Sequence, residues 1–403
     1  MNLFSFSYRK NESLDEKERL NWLRLIRTER IGPISFYKML ETYGTATRAL
    51  EAIPEITAKS GKKSRMRIPS DRDIDRELKA IEKYGARLIT AADPDYPLPL
   101  GAIDDAPPVI CVMGDITLAQ RNCVGIVGSR NASHNGRNFA KKLAHDIGKR
   151  DITVASGLAR GIDTSAHKGS LETGTIAVVA GGLDHIYPQE NTDLFRAIAA
   201  QGLVIAENPM GTAPRAQDFP RRNRIVSGLS SGVVVVEANE RSGSLITARL
   251  AAEQGRDVYA VPGHPMDPRA SGTNRLIRDG ALLIRSAADV LDDLQNFAGH
   301  DLHAPKRNYT IQTGTDHSDT QTDIPQNQNT DTSTPSQPPS PSADTDVKAL
   351  LLDVLSFTPT AIDELIQTHK ITAPAMQIAI LELEITGDIE RVPGNKIVRI
   401  RET

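Results

Sequence analysis

Phe219-Pro220-Arg221-Arg222-Asn223-Arg224-Ile225 places three arginines and an asparagine in four consecutive positions, with Asp218 the one acid beside them. A guanidinium is a planar fork of N–H donors, and arginines held by a rigid framework suit phosphate oxygens, which they bond in pairs. The competing reading is a set of structural ion pairs to acids elsewhere in the fold. Just downstream, Val233–Val236 has the character of a buried strand, so the cluster should stand beside a central sheet rather than on a solvated surface.

Other residues of the same chemical type follow short apolar runs. Gly128-Ser129-Arg130 follows Val124–Val127, and Ser156–Asp163, with Gly157 and Arg160, follows Ile152–Ala155. Ala180–Asp184 and Tyr187–Asn191 follow Ile176–Ala180, and Glu207–Gly211 follows Leu203–Ala206 and leads through Arg215 to the arginine cluster. Ser242–Thr247 and Val261-Pro262-Gly263 come after the last two long runs. Glycine at such turns admits positive φ and close approach of main-chain amides, and a following helix adds partial positive charge. One such turn is weak evidence, because glycine there often serves packing alone. Several on one edge, with Arg130, Arg160 and Arg221–Arg224, predict a cationic, amide-lined trough for an anionic ligand.

These residues need a scaffold that brings strand ends together. Between the apolar runs lie helical repeats such as Phe139, Leu143 and Ile147, or Leu194 and Ile198, spaced by four. Continuous apolar strands alternating with helices indicate an α/β domain, a doubly wound, mostly parallel sheet over residues 71–298 that binds ligands where strands end. Residues 1–70 read as a small helical domain of the SAM or helix-hairpin-helix type: Leu20, Leu23 and Ile26 form a stripe, Ile31-Gly32-Pro33 turns the chain, and a second helix stops at Tyr43-Gly44. Such a turn can grip a nucleic-acid backbone or serve packing alone, and the basic stretch Lys59–Arg67 makes a plausible boundary. Residues 299–345 are Ser, Thr, Pro, Gln and Asp with little to bury, the composition of a disordered linker. In 346–403, three helical stripes and two short strands around Pro393-Gly394-Asn395 give a winged-helix pattern, with Thr360 read as a helix cap. Its third helix carries Gln377, Glu382 and Glu384 rather than base-reading cations, which favours a protein-interaction role.

Composition narrows the classes further. With 48 basic and 51 acidic residues the net charge is -3, so any nucleic-acid surface must be local. Aromatics are only 4 %, which argues against extensive base-stacking platforms. Cys111 and Cys123 make no disulfide framework, and neither they nor His134, His167, His185 and His264 show metal spacing. No GxxxxGK[ST] or GxGxxG segment is present, so no ATP, NAD or FAD chemistry and no cofactor is expected. Ser129, Ser156 and Ser244 supply hydroxyls without a recognisable Ser-His-Asp set. Without a signal-like start or a long apolar span, a soluble cytoplasmic protein with no membrane partner is expected.

The turns together resemble the DprA/Smf family of DNA-processing proteins. The resemblance rests on VGSRNAS at 127–133, SGLARGID at 156–163, AGGLDHIYPQEN at 180–191, ENPMGTAPRAQDFPRRNRIVSGLS at 207–230, the stretch 235–263, and GTNRLIRDGA at 272–281. It implies an extended Rossmann-like fold that binds single-stranded DNA without catalysis, forms a homodimer and loads RecA recombinase during natural transformation or recombination. By the same resemblance Gly128, Ser129, Arg130, Gly157 and Arg160 contact the strand, Arg130 holding phosphate and Gly157 with its neighbours letting the strand pass close to main chain. Phe219 stacks or wedges against a base, and Arg222, Asn223 and Arg224 line the pocket. Some members carry a lysine where this chain has Ala216, and Arg215 is the nearest substitute. Leu276, Ile277, Leu282 and Ile284 fall where the family forms its dimer interface. A rival of similar topology is a nucleotide hydrolase of the cytokinin-activating, lysine-decarboxylase-like group. Its PGGxGT loop is followed closely by a catalytic Glu, whereas here Ser242–Thr247 is followed by no carboxylate until Glu253.

Overall fold

The computed structural model describes residues 14–59, 66–297, 347–355, 359–392 and 394–400. The linker expected at 299–345 and most of the basic loop after Lys59 lie outside the described residues. Chain contacts divide the molecule into two compact units, Met1–Leu50 with Arg67–Thr310, and Glu51–Met66 with Ile311–Thr403.

The first unit begins with α1 (Glu16–Ile26), α2 (Pro33–Tyr43) and α3 (Ala46–Lys59, which runs on past its boundary), then α4 (Asp71–Lys83). β1 (Arg87–Thr90), α5 (Leu98–Gly101) and β2 (Val109–Gly114) follow. Alternation then sets in with β3 (Cys123–Gly128), α6 (His134–Gly148), β4 (Thr153–Ser156), α7 (Ile162–Ser170), β5 (Thr175–Val179), α8 (Thr192–Gln201) and β6 (Leu203–Ala206). It continues through α9 (Asp218–Leu229), β7 (Gly232–Val236), α10 (Ser244–Glu253), β8 (Asp257–Ala260), α11 (Ser271–Arg278), β9 (Leu282–Leu283) and α12 (Ala287–Phe297).

The strands form one nine-stranded sheet in the order β1-β2-β6-β5-β4-β3-β7-β8-β9. From β6 through β9 every neighbour is parallel, and β2 and β1 add antiparallel pairs at one end. The fold is therefore doubly wound and mostly parallel, as its apolar runs predict. β3 is the switch point: the chain builds β4, β5 and β6 on one side of it, then returns to lay β7, β8 and β9 on the other. The parallel strands are rich in Val, Ile and Ala because helices cover both faces. On one face Val124, Ile126, Val154, Val234, Val236 and Tyr259 pack with Leu143 and Ile147 of α6 and Val290 of α12. Val179, Val204 and Ala206 meet Phe195 and Ile198 of α8 in a second cluster.

Sequence reasoning missed β1 and β2. β1 has only four residues, and β2, six residues long, enters as an antiparallel strand beside β6, outside the repeating strand–helix rhythm. They matter because Leu23 of α1, Ile74 of α4 and Val109 of β2 share a core cluster, so the N-terminal helices are built onto this end of the sheet. The turn at Ile31-Gly32-Pro33 is present, with Gly32 in the N-cap position and Pro33 starting α2, where a missing N–H costs nothing.

The second unit contains α13 (Val347–Val354), β10 (Thr360–Ala361), α14 (Ile362–His369), α15 (Ala373–Thr386), β11 (Ile389–Val392) and β12 (Lys396–Arg399). β11 and β12 form the expected hairpin, and β10 pairs with β12. Thr360 is thus a strand residue and not a cap; Ala361 occupies the cap position of α14 without a side-chain bond. Leu351, Leu365, Met376, Ile380, Leu383 and Ile397 make its core, the winged-helix arrangement.

Candidate nucleic-acid interface

Phe219 stands in the first turn of α9, which runs from the end of β6 back to the start of β7, so this turn lies at the carboxyl edge of the sheet. The guanidinium carbon of Arg130, in the turn after β3, is 5.3 Å from the centre of the Phe219 ring. Tyr187, in the loop after β5, packs edge-to-face on the same ring, with centroids 5.5 Å apart and planes at 60°. Three loops of the parallel sheet thus converge on one corner with two aromatic rings and a cation. Arg130 and Arg215 are exposed, and Phe219 and Asn223 are half-buried.

The rest of the arginine cluster is dispersed by helical geometry. Successive residues on an α-helix point about 100° apart, so four in a row cannot share a face. Arg221 is exposed, whereas Arg222 and Arg224 are only 6 % and 7 % exposed. Arg222 turns into the sheet, where its Nη1 donates to the carbonyls of Gly157 and, at 2.7 Å, Val178. Burial lowers its pKa to about 10, opposed by the nearby Asp163 carboxylate. Arg224 donates through Nη2 to Glu207 at 2.6 Å and pairs through Nε with Asp105 at 3.0 Å. Burial works against its charge, but the two carboxylates win and hold its pKa above the ordinary value. The ion-pair reading therefore describes Arg224, and Arg222 is a strut between α9 and the sheet; neither presents a guanidinium to a pocket. Asn223 bridges toward the loop before α10, with its Nδ2 3.5 Å from the Gly243 carbonyl. Arg160 is exposed and pairs with the exposed Glu190 at 2.8 Å.

The glycines and amides also have work inside the fold. A Cβ on Gly157 would strike the Arg222 guanidinium, so the missing side chain makes room for Arg222. A Cβ on Gly128 would strike the Val236 carbonyl and Ile162. The Ser129 N–H donates to the Glu237 carbonyl at 2.7 Å, tying the ends of β3 and β7 together. Asp163 accepts from the N–H groups of Gly157 (3.1 Å) and Ala159 (3.3 Å), and burial raises its pKa. Glu237 accepts from the Ser133 N–H at 2.8 Å beneath the start of α6, and Asp184 accepts from the Gly211 N–H at 2.9 Å. The expected amide-lined trough is corrected accordingly: the protein's own carboxylates fill these anion positions, and the exposed cations and rings are side chains. Residues that sequence reasoning missed are Asp163, Glu207 and Asp105 as internal counterions, Glu237 as the acceptor beneath α6, and Tyr187 as part of the corner. An aromatic in the otherwise polar loop DHIYPQEN was the available signal for Tyr187.

Matching families agree with this layout. The family model described as DNA recombination-mediator protein A matches residues 87–295, the DprA-like N-terminal HHH domain matches 16–80, and the DprA winged helix domain matches 335–395. Protein Smf of Escherichia coli is 36 % identical over 334 residues, 82 % of each chain. The chain belongs to the DprA/Smf family. Protein Smf of Synechocystis is 32 % identical over 397 residues, 95 % of this chain and 99 % of that one. The crystal structure of DNA processing protein A from Streptococcus pneumoniae superposes with a TM-score of 0.59 at 32 % identity, covering 70 % of this chain and 99 % of that one.

Other features of this DprA/Smf chain bear on its chemistry. Glu253, the first carboxylate after Ser242–Thr247, sits at the far end of α10 and faces Arg249 at 3.5 Å, away from a catalytic position at the helix start. Cys111 and Cys123 are buried, which pushes both thiols up to about 12. Among the described residues no group of His, Cys, Asp or Glu is arranged to hold a metal, and no helix is long and apolar enough to cross a membrane. At the β9 edge of the sheet, Leu282 and Leu283 are exposed and Leu276 and Ile277 half-buried. Ile284 is the exception among the expected interface residues: it lies just past β9 and is buried in the core with Val290. In the winged helix, Glu382 pairs with Lys348 at 2.8 Å and Glu384 with Arg391 at 3.1 Å. The acidic face read from the sequence is thus engaged inside the unit, and α15 shows to solvent a large apolar side chain, Ile378, 50 % exposed.

Proposed function

We propose that this chain binds single-stranded DNA at the carboxyl edge of its sheet, without catalysis, and hands the strand to RecA recombinase in natural transformation or recombination. The observation that carries this reading is the corner of Arg130, Phe219 and Tyr187, in a chain of a DNA-processing family. A cation beside aromatic rings offers a phosphate contact and a stacking surface together, and stacking requires unpaired bases. Arg130 holds phosphate, Arg215 and Arg221 extend the cationic rim, and Phe219 meets a base. Gly128, Ser129 and Gly157 shape the loops, and Arg222 and Arg224 support the site from within. Family membership is what supports the RecA partnership and the cytoplasmic setting. Segments 1–70, 71–298, 299–345 and 346–403 remain the working division, and a homodimer would form through the exposed leucines of the β9 edge.

The test is competition of short single strands against duplex and mononucleotides across a salt series. The expected outcome is preference for single strands, with log affinity falling linearly with log salt. Arg130→Glu should weaken binding whatever the sequence, since phosphate contacts carry no base code. A flat salt response, or unchanged affinity in this variant, would remove the proposal. Faster nucleation of RecA on coated strands than on naked ones tests the handover.

A further inference from the structure

Phe219 is half-buried, with a cation and a second ring already against it. Arg130 lies over its ring at 5.3 Å from the centroid, and the Tyr187 ring leans on it at 5.5 Å. A base inserted between two rings needs about 7 Å between them, two contact distances of about 3.5 Å. The Tyr187–Phe219 pair, inclined at 60°, has no such gap. Tyr187 is the open member, 49 % exposed in the loop after β5, whereas Phe219 is half-buried. That loop is held firmly at its far end: Asn191, buried, donates through Nδ2 to the Leu158 carbonyl at 2.8 Å and to Thr164 Oγ1 at 2.9 Å. At its near end the Asp184 carboxylate accepts from the Gly211 N–H at 2.9 Å.

We propose that Tyr187 is the ring on which an unpaired base stacks, with Phe219 as the wall that sets its orientation and Arg130 placing the adjoining phosphate. This deepens the single-strand reading and rests on it. Stacking on a free tyrosine face is tolerant of base identity, because every base has a π-face. Tyr187 adds no charge, so its contribution should be independent of salt.

The experiment uses the full chain and a short single strand carrying 2-aminopurine, with Tyr187→Ala, Tyr187→Leu, Tyr187→Trp and Arg130→Glu, each checked by thermal melting. Tyr187→Ala and Tyr187→Leu should bind on the order of tenfold more weakly. Their log affinity against log salt should keep the wild-type slope, because no phosphate contact is lost. Tyr187→Trp should restore affinity, with its emission quenched by the strand. Arg130→Glu should reduce the slope itself. If Tyr187→Leu binds like wild type, Tyr187 only props Phe219 and the inference is wrong while the site stands. If wild type shows no single-strand binding, the site reading fails and takes this inference with it.

Discussion

Arg130 is exposed against an aromatic ring, whereas Arg224 is enclosed by Glu207 and Asp105. The two side chains are chemically identical, and their substitutions should separate cleanly. Arg130→Glu should lower strand affinity with little change in melting temperature. Arg224→Ala should instead cost stability of about 3 kcal/mol, by leaving two carboxylates without their cation. Denaturant midpoints and binding isotherms on both variants check this, and the reverse pattern would exchange the roles. His167 provides a second residue-scale expectation. It is buried on α7, its Nδ1 2.7 Å from Thr175 Oγ1, and burial lowers its pKa from 6.5 to about 3. The native state therefore keeps it neutral while the unfolded chain takes up a proton below 6.5, so stability is present above that pH and drains away toward 3. Between pH 6.5 and 4.5 the loss should be on the order of 2 kcal/mol. Urea midpoints of wild type and His167→Gln at both pH values should show a shallower fall in the variant.

At the scale of elements, α9 explains why an arginine cluster yields so few exposed cations. From Arg222 to Leu229 it is buried except for half-buried Asn223, with Arg222 reaching across to the ends of β4 and β5. Gly157→Ala should strike that guanidinium and destabilise the domain by about 2 kcal/mol. In an Arg222→Ala background the added methyl has space, so the effect of Gly157→Ala should shrink. A double-mutant cycle measures this, and strict additivity would contradict the contact. The strand–helix rhythm from β3 to β9 was legible because buried parallel strands read as short apolar runs. β1 and β2 were not, because no periodic partner announces an antiparallel addition. In α15, charged residues alone suggested an acidic face, and only the positions of Lys348 and Arg391 reveal that those acids are paired.

Across the whole molecule, the cationic and aromatic corner belongs wholly to the first unit. Deleting 346–403 should leave single-strand affinity within about twofold by equilibrium titration, because no contact of the corner is removed. Abolished binding would transfer the site to the winged helix. Under the proposed homodimer, Leu282→Glu with Leu283→Glu should shift the mass measured by sedimentation from dimer to monomer, since neither side chain is buried in the core; a wild-type mass already monomeric would remove that proposal. The sequence alone determined the family, the doubly wound sheet, the winged helix and the edge at which cationic loops gather. The family follows from the resemblance of the chain's turns to known motifs, and the rest from apolar periodicity and turn chemistry, all of them local along the chain. The tertiary structure alone decided which arginines face water, which glycines make room for a neighbour and which amides are already bonded to an internal carboxylate. Those answers depend on helix rotation and on partners far away in sequence, and neighbouring residue types do not encode either one.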